Sequence, residues 1–386
     1  MGFTVGQNTV IYIKEEVTEG THVAPASGSD AILPLADGVE LTPSRELIDR
    51  NVLNGSIGKN TSRKGMKSVS GNISVEFKAQ GTEGQAPEYG LLIESALGNV
   101  RTGATQTSTT GNTSSVIEFG AAPNFAVGDI VMIKEAGSYH ISPVSSVDVD
   151  SITLLRAASG AFSDGVVVAA VSTYYPANSG HKAISVTKYV EDSIEEKGTG
   201  CKITSMALSN FSVGQIAQLD FGMEGLTYAR SVNASGLSES FDSSKPPIVL
   251  EACVFVDGVQ TPVSELGFSI ENTLGFIMDT CSANGKTASR ITERSITGNF
   301  NPYKQDDSIA NFTKFDEGTA FSLFGYAVIP TGTAGEYQDV VAFYLPSCQV
   351  TELSESDQDG VLQDAITFQA TRGDSGSSEE IYISFI

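Results

Sequence analysis

The stretch of residues 68–79 alternates between apolar and polar residues without a break. Its odd-numbered positions are apolar or glycine: Val69, Gly71, Ile73, Val75 and Phe77. Its even-numbered positions are polar: Ser70, Asn72, Ser74, Glu76 and Lys78. Because successive side chains of a β-strand point to opposite faces, this pattern predicts a strand with one buried face and one hydrated face.

A second stretch, residues 295–303, repeats this pattern late in the chain. Its apolar and polar positions again alternate: Ile296, Gly298 and Phe300 against Ser295, Thr297, Asn299 and Asn301. In both stretches a glycine followed by an asparagine lies mid-strand, and a segment with helical apolar spacing follows, at residues 86–97 and 309–315. The pattern predicts an internally duplicated β-barrel or sandwich. A chance match between two short stretches is the alternative.

Composition favours an all-β chain. The 386 residues include 39 glycines and no tryptophan, and long helical patterns are rare, so we expect many strands and turns with one or two short helices. No apolar run approaches the roughly 18 residues of a membrane span, and residues 1–15 lack the pattern of a signal peptide. We therefore expect a soluble protein that does not insert into membranes and is not exported by a conventional signal.

The charge balance constrains the partners. With 46 acidic and 23 basic residues, the chain carries a formal net charge of −23. An acidic surface repels the phosphates of nucleic acids, whereas tight binding needs lysine and arginine to displace counterions. Tight DNA binding is therefore disfavoured, but DNA that slides past the protein is compatible with this charge. A generally acid-rich protein without a DNA-related role is the alternative.

Residues 42–67, called the arm here, differ from their surroundings. They concentrate basic residues among sparse apolar ones, and a loop of this length in a compact domain is usually functional. The composition predicts an arm that docks on another copy of the chain. The candidate contact residues are Arg45, Glu46, Asp49, Arg50, Arg63 and Lys64. A flexible surface hairpin is the alternative.

Residues 99–179 read as a domain inserted into the main body. Residues 99–115 are rich in serine, threonine and glycine, residues 173–180 are also loop-like, and short strand patterns separated by turns lie between these flanks. The stretch FAVGDIVMI at residues 125–133 is typical of the start of a small SH3-like or similar barrel. We therefore expect a main domain in two parts, residues 1–98 and 180–386, around this inserted β domain.

The sequence contains no recognisable catalytic or metal-binding pattern. The three histidines, His22, His140 and His181, are scattered, and the four cysteines form no CxxC pair. Residues 357–364 superficially resemble a calcium loop but lack its ligand order, so an acidic turn is the better interpretation. We expect four reduced thiols, no metal, no cofactor and no enzymatic activity.

Taken in order, these segments resemble the tail tube proteins of long-tailed bacteriophages. The resemblance rests on FTVGQNTVIYIK at residues 3–14, ELIDRNVL and the GKN and RKG triplets in the arm, and SVSGNISVEF at residues 68–77. It continues with KITSMALS and VGQIAQLDFGMEG between residues 202 and 225, and with SITGNF at residues 295–300. It covers residues 2–97 and 181–386 and leaves the inserted domain outside.

The resemblance implies a subunit that forms hexameric rings, stacked into a tube through which double-stranded genomic DNA passes. It also implies a place in the virion tail after synthesis in the host cytoplasm. The partners it implies are further copies of the chain and the tape-measure, tail-terminator and tail-tip proteins.

On this hypothesis the small polar residues of the two alternating strands face the lumen: Ser70, Asn72, Ser74, Glu76, Thr297 and Asn299. The arm would reach the adjoining ring. The inserted domain would project outward and either contact the host surface or serve as decoration. A secreted or surface-displayed adhesion or carbohydrate-binding protein is the alternative, although the absence of tryptophan argues against an aromatic sugar platform.

Overall fold

A computed structural model describes residues 8–53, 55, 57–135, 137–191, 193–250, 252–305, 309–330, 337–372 and 379–386. The elements of its first half are β1 (Thr9–Glu15), β2 (Ala31–Ile32), β3 (Pro34–Ile48), β4 (Arg63–Glu76), α1 (Gly90–Leu97), β5 (Gly98–Gly103), β6 (Gln106–Thr107), β7 (Val116–Glu118), β8 (Ile130–Glu135), β9 (Ser138–Val147), β10 (Ser151–Leu154), β11 (Val167–Val168) and β12 (Val171–Pro176). Those of its second half are β13 (Ile184–Val190), β14 (Ile194–Ser212), β15 (Gln218–Gly225), β16 (Thr227–Val232), β17 (Ala252–Val256), β18 (Val259–Gln260), β19 (Val263–Met278), β20 (Lys286–Pro302), α2 (Ile309–Glu317), β21 (Phe321–Pro330), β22 (Tyr337–Gln358), β23 (Val361–Ala370) and β24 (Tyr382–Phe385). The all-β expectation with short helices is confirmed, while residues 3–7 of the resembling segment at residues 3–14 lie outside the described residues.

Eight antiparallel strands form what we call the central sheet. Its order is β3–β4–β15–β14–β19–β20–β23–β22. The strand predicted at residues 68–79 is β4, and its apolar side is buried as expected: Val69, Ile73 and Val75 are each at most 1% exposed. The late stretch is β20, so both alternating stretches lie in this one sheet.

Two long strands leave the central sheet and enter outer sheets that pack over it. The first half of β14 pairs with β13 and β16, and β1 and β2 continue beyond β13. The first half of β22 pairs with β21 and β24, and β17 and β18 continue beyond β21. Phe343 on β22 contacts Phe211 and Phe268, with ring centroids 5.6 and 5.4 Å apart, so the core is continuous across the two halves.

The register of the strands shows that the main body is an internal duplication. The residue pairs within the hairpin β3–β4 recur within the hairpin β19–β20. Corresponding residues differ in number by a constant amount, the difference between Gly71 and Gly298. Corresponding pairs are Leu41–Gly71 with Phe268–Gly298, Arg45–Lys67 with Asn272–Arg294, and Leu47–Lys64 with Leu274–Ile291. The internal repeat predicted from the alternating stretches is therefore present, and it extends far beyond them.

The second hairpin of each half carries the same irregularity. In β14–β15 the register shifts between Ile203 and Ser205, and in β22–β23 it shifts between Val350 and Glu352. A bulge bends a strand and fixes its twist, so its recurrence at matching positions is a feature of the fold. We call the half built from β1–β4, α1 and β13–β16 repeat 1, and the half built from β17–β24 and α2 repeat 2.

A steric constraint explains why each of the two alternating strands has a glycine at the same position. A side chain at Gly71 would place its Cβ 2.2 Å from the carbonyl oxygen of Glu40. At Gly298 a Cβ would lie 2.4 Å from the Phe368 ring and 2.6 Å from the carbonyl oxygen of Gly267. Glu40 and Gly267 are equivalent positions of the two repeats, so the same close backbone approach excludes a side chain in both.

We expect Gly298→Ala to destabilise the fold by about 1–3 kcal/mol, because the added methyl group overpacks a site bounded by backbone and a buried ring. Chemical denaturation of the purified protein measures this loss. Gly160→Ala is the matched control, since a Cβ at Gly160 has nothing within 4 Å. Equal stability of the two variants would contradict this explanation.

The inserted segment forms a separate six-stranded sheet in the order β6–β11–β8–β9–β10–β7. The strands β5 and β12 lie almost wholly within residues 99–179, but they pair with each other and β12 also pairs with β24 of the main body. We therefore propose residues 104–170 as the bounds of the inserted domain. The residues of FAVGDIVMI begin β8 as expected, and Asp129 is buried in an ion pair of 2.6 Å with Arg101.

The inserted domain shares its hydrophobic core with the outer sheet of repeat 2. Its buried Ile130, Ile133 and Val144 belong to one cluster with Phe324 and Tyr382 of β21 and β24. Both aromatic residues are nearly inaccessible, at 1% and 3% exposed. The domain is thus packed on the main body rather than connected to it only through its two linking strands.

We expect a variant in which a short glycine-serine turn replaces residues 104–170 to fold with a clearly lowered melting temperature. Gly103 and Val171 are paired across β5 and β12, so a short turn can join them. The loss exposes the aromatic face of β21 and β24, which costs about 1.5–3 kcal/mol for each large side chain that is no longer buried. Thermal unfolding and binding of a hydrophobic dye measure the effect, and an unchanged melting temperature would contradict the shared core.

Candidate functional site

The solvent-facing side of the central sheet is polar from edge to edge, and we call it the polar face. It begins with the even-numbered residues of β4, of which Ser70 and Asn72 are exposed and Ser74 and Glu76 half-buried. Strand pairing carries the same side across the sheet. One row, read across neighbouring strands, is Ser74, Asp220, Ala207, Ser269, Thr297 and Gln369.

The sequence-predicted lumen residues all lie on this face. Ser70, Asn72, Ser74 and Glu76 stand on β4, and Thr297 and Asn299 stand on β20. The two groups occupy equivalent places in repeat 1 and repeat 2. The structure therefore brings the six predicted residues onto one surface, separated by the strands β15, β14 and β19.

The polar face is acidic. Carboxylates are contributed by six of its strands in the described part of the chain: Glu40, Glu76, Asp220, Glu224, Glu265, Glu271, Glu293 and Glu352. The parts of the eight strands that form this face contain one basic residue, Arg294. These parts are residues 39–44, 68–76, 205–209, 218–224, 265–273, 293–301, 349–354 and 365–369. Arg294 pairs with buried Asn272 and lies on the opposite side of the sheet.

Short hydrogen bonds from neighbouring hydroxyl groups orient several of these carboxylates on the surface of the sheet. The hydroxyl of Ser209 donates to Asp220 at 2.6 Å, that of Ser269 donates to Glu271 at 2.9 Å, and that of Thr42 donates to Glu40 at 2.6 Å. These contacts join residues that are already neighbours on the surface. The face therefore presents ordered small hydroxyl and carboxylate groups and few bulky side chains.

Sequence reasoning missed several members of this face. Asp220, Glu224 and Glu271 lie on β15 and β19, whose alternation is visible in the sequence at residues 217–221 and 266–271. The signal was present, but the sequence does not state which strands share a sheet. Pairing with β4 and β20 places these carboxylates among the predicted residues.

Lys78 is the one basic residue among the polar positions of the first stretch, and the structure removes it from the face. Its side chain is buried, and its Nζ lies 3.3 Å from the carboxylate of Asp242 and donates to two backbone carbonyls. Burial alone would raise the pKa of Asp242, but hydrogen bonds from Ser244 and the nearby Lys78 ammonium lower that pKa below its ordinary value. This lysine is a structural group.

The arm is a hairpin whose base is the outer part of β3 and β4. Arg45, Glu46, Asp49, Arg50, Arg63 and Lys64 are all exposed. None of the arm's basic side chains forms an ion pair with a carboxylate of the described residues. Near the tip Leu53 and Ile57 are 106% and 110% exposed, so apolar side chains project from the molecule. Such a surface matches a docking segment.

The three histidines have structural contacts. His22 bonds to Thr187, His140 to the backbone carbonyl of Arg156 and His181 to that of Ser95. Burial, together with the charge of Arg156, lowers the pKa of His140 to about 4. Among the described residues no cluster of three histidine, cysteine, aspartate or glutamate side chains could hold a metal ion.

No helix in the described part of the chain has the length and apolar character needed to cross a membrane.

The comparison with known families agrees with this architecture. No curated protein sequence matches the chain. A family model described as "Phage tail tube protein" matches residues 6–370, which is nearly the whole chain and includes repeat 1 and all of repeat 2 except β24. The chain therefore belongs to the phage tail tube protein family.

Proposed function

We propose that the polar face lines the channel of a phage tail tube and lets double-stranded DNA pass during ejection. The family gives the chain a structural role in the tail of the virion. The observation that supports the finer function is the continuous acidic surface of the central sheet. Phosphates are repelled by carboxylates, and without lysine or arginine there is no counterion release to hold the DNA.

Tube formation requires copies of the chain to join side by side into rings and end to end into stacks. A contact between two different surfaces closes into a ring when the rotation permits, and stacking of rings then gives an open filament. In this proposal six subunits form each ring, as the resemblance implies.

The arm supplies the contact between rings in this proposal. Its basic residues, including Arg45, Arg50, Arg63 and Lys64, complement the acidic surface that the remainder of the chain presents. The exposed Leu53 and Ile57 would become buried against the adjoining ring. The carboxylates Glu46 and Asp49 would set the register of the same contact.

The inserted domain faces away from the channel in this proposal. It packs on the outer sheet of repeat 2, on the side of the core opposite the polar face. Contact with the host surface is the function that this position would permit. We expect the variant lacking residues 104–170 to form tubes, despite its lower stability, and loss of assembly would assign the domain to the ring contacts instead.

The remaining partners follow from the tube itself. A tube of defined length that is closed at both ends needs tape-measure, tail-terminator and tail-tip proteins, and we propose these as its neighbours in the virion. The chain would be synthesised in the host cytoplasm and would act without cofactor, metal or catalysis. Family membership favours this function over a secreted carbohydrate-binding protein.

Electron microscopy of the purified protein, negatively stained over a range of concentrations, tests the proposal. Rings or tubes with a central channel are the expected result. Monodisperse single particles at every concentration would contradict it and would return the adhesion alternative to consideration.

A further inference from the structure

The outer ends of the two equivalent hairpins have the same length but different structures. Since the pair Ile48–Arg63 corresponds to the pair Gly275–Arg290, residues 49–62 of the arm correspond to residues 276–289. In repeat 2 the strand pairing continues outward to Met278–Lys286, and the chain then turns. In repeat 1 no strand pairing extends beyond Ile48–Arg63 among the described residues. One end closes into a hairpin, and the other projects as the arm.

Residues 279–285, called the turn of repeat 2 here, are held by hydrogen bonds within the turn itself. The backbone N–H of Asp279 donates to the carbonyl oxygen of Gly285 at 3.0 Å, and the N–H of Cys281 donates to the Asp279 carboxylate at 2.8 Å. The hydroxyl of Ser282 donates to the carbonyl oxygen of Lys286 at 2.9 Å. These contacts fix the backbone that carries Asn284.

The side chain of Asn284 binds the base of the arm. Its amide oxygen accepts a hydrogen bond from the N–H of Lys67 at 2.7 Å. Its amide nitrogen donates to the carbonyl oxygen of Lys67 at 3.2 Å and to that of Leu226 at 2.8 Å. A hydrogen-bonded residue pair of an antiparallel sheet exchanges the same two backbone bonds that Asn284 makes with Lys67. All three bonds join repeat 2 to repeat 1.

These hydrogen bonds take the place of a missing strand. The strand β15 pairs with β4 as far as Gly225–Val69 and ends there. Farther out, β4 pairs with β3 alone among the described residues, as far as Ile48–Arg63. A ribbon of two strands is only marginally stable by itself in water. Asn284 therefore supplies, at Lys67, the second neighbour that the base of the arm otherwise lacks.

The hairpin that carries Asn284 is anchored on the outer sheet of repeat 1. The carboxylate of Glu19 accepts hydrogen bonds from the N–H of Ser289 at 2.6 Å and from its hydroxyl at 2.5 Å. The same carboxylate accepts from the ammonium group of Lys202 at 2.8 Å. Ser289 and Lys202 are both buried. The strand β20 is thus fixed close to the turn, and Asn284 is presented to Lys67 from a fixed position.

The sequences of the two hairpin ends differ at the residue that makes this contact. Gly58–Lys59 of the arm corresponds to Gly285–Lys286 of repeat 2, so the two ends share this dipeptide. Asn284 corresponds to Ile57, whose side chain is 110% exposed. An amide that binds within the chain in repeat 2 thus stands where repeat 1 has an apolar side chain that projects outward.

We propose that Asn284 is a positioning residue for tube assembly, because it holds the base of the arm in the direction from which the arm reaches the adjoining ring. This inference rests on the proposed docking role of the arm. A change of angle at Lys67 displaces the far end of the arm, where Leu53 and Ile57 lie. An arm that is already oriented loses less conformational freedom when it docks, which strengthens the contact between rings.

Asn284→Ala tests this role through assembly. Asn284 is only half-buried, so the variant should fold with a melting temperature close to that of the unmodified chain. We expect the protein concentration needed for tubes to rise about tenfold or more, because the arm must then be ordered on docking. Asn284→Asp keeps the acceptor for the Lys67 N–H but loses both donated bonds, and should fall between the two. Asn124→Ala, at an exposed asparagine of the inserted domain, is the matched control and should assemble normally.

A distance measurement on the single chain tests the orientation of the arm directly. In a Cys281→Ser background, which removes the exposed native thiol, spin labels are attached at Lys64→Cys on β4 and Gln349→Cys on β22. Pulsed electron paramagnetic resonance below the assembly concentration should give a narrow distribution of distances. Addition of Asn284→Ala should broaden or shift this distribution, whereas a mere loss of stability would lower the melting temperature and leave the distribution unchanged.

The two readouts together decide the inference. Normal tube formation by Asn284→Ala would overturn it. Lost tubes with an unchanged distance distribution would also overturn it, since Asn284 would then contact the adjoining ring instead of orienting the arm. Absence of tubes from the unmodified protein would count against the proposed function, while the distances in the single chain would still show whether Asn284 orients the arm.

Discussion

A chain lacking residues 51–63 should fold as a monomer and form no tubes. This deletion removes Val52, Leu53 and Ile57, whose side chains are at least half exposed in the single chain. Burial of each such side chain against a neighbouring ring contributes about 1.5–3 kcal/mol, and the contact recurs for every chain of every ring. Sedimentation and negative-stain microscopy measure assembly, and circular dichroism with thermal unfolding verifies the fold.

A milder variant separates the apolar contact from the length of the arm. Leu53→Asp combined with Ile57→Asp keeps the chain length and should also abolish stacking. Val149→Asp in the inserted domain is the matched control, because Val149 is 81% exposed but lies outside the arm. Normal tubes from the deletion variant would show that the arm makes no contact essential for assembly.

Reversing the charge of the polar face should convert the channel into a DNA-binding surface. In the triple variant Asp220→Lys, Glu224→Lys and Glu271→Lys, three lysines per chain replace carboxylates on the central sheet. Three new phosphate contacts would make the affinity fall roughly 40-fold between 50 and 200 mM salt. Assembled tubes of the variant should retain DNA at low salt, and virions that carry it should eject DNA more slowly.

Two control variants show whether the added positive charge on the polar face causes the DNA retention. Asp220→Asn with Glu224→Gln and Glu271→Gln removes negative charge without adding positive charge, and should bind DNA weakly at most. Asp148→Lys, Asp150→Lys and Asp164→Lys place the same charge on exposed positions of the inserted domain and should leave ejection unchanged. Equal DNA retention by the unmodified tube and the face variant would contradict a channel-lining role.

The local structure of this chain follows closely from its sequence. Alternation at residues 68–79 predicts β4, and apolar spacing before Gly98 predicts α1, whose Leu92 and Ile93 are fully buried. Both signals are local, since they depend on the period of side-chain direction within one element. The sequence therefore predicts which side of β4 is wet without reference to the remainder of the fold.

The extent of the duplication could not be predicted in this way. Leu41 and Phe268, or Glu40 and Gly267, are equivalent by register but differ in residue type. What the two repeats conserve is backbone pairing and burial, and these appear only when partner strands are known. The two bulges are likewise set by pairing and leave no periodic signal in the sequence.

Long-range contacts also explain the remaining differences. Lys78 continues a polar alternation in the sequence, yet it is buried because Asp242 lies beside it in the folded chain. The strands β5 and β12 lie at the flanks of the expected insert, yet β12 pairs with β24 of the outer sheet as well as with β5. In each case a partner distant in sequence outweighs the local composition.

A density map of the assembled tube at side-chain resolution tests the central claim most directly. We expect a central bore with Asn72 of β4 and Asn299 of β20 both facing it, surrounded by the carboxylates of the central sheet. A map in which this face points outward, lies between rings or encloses no bore would contradict the account.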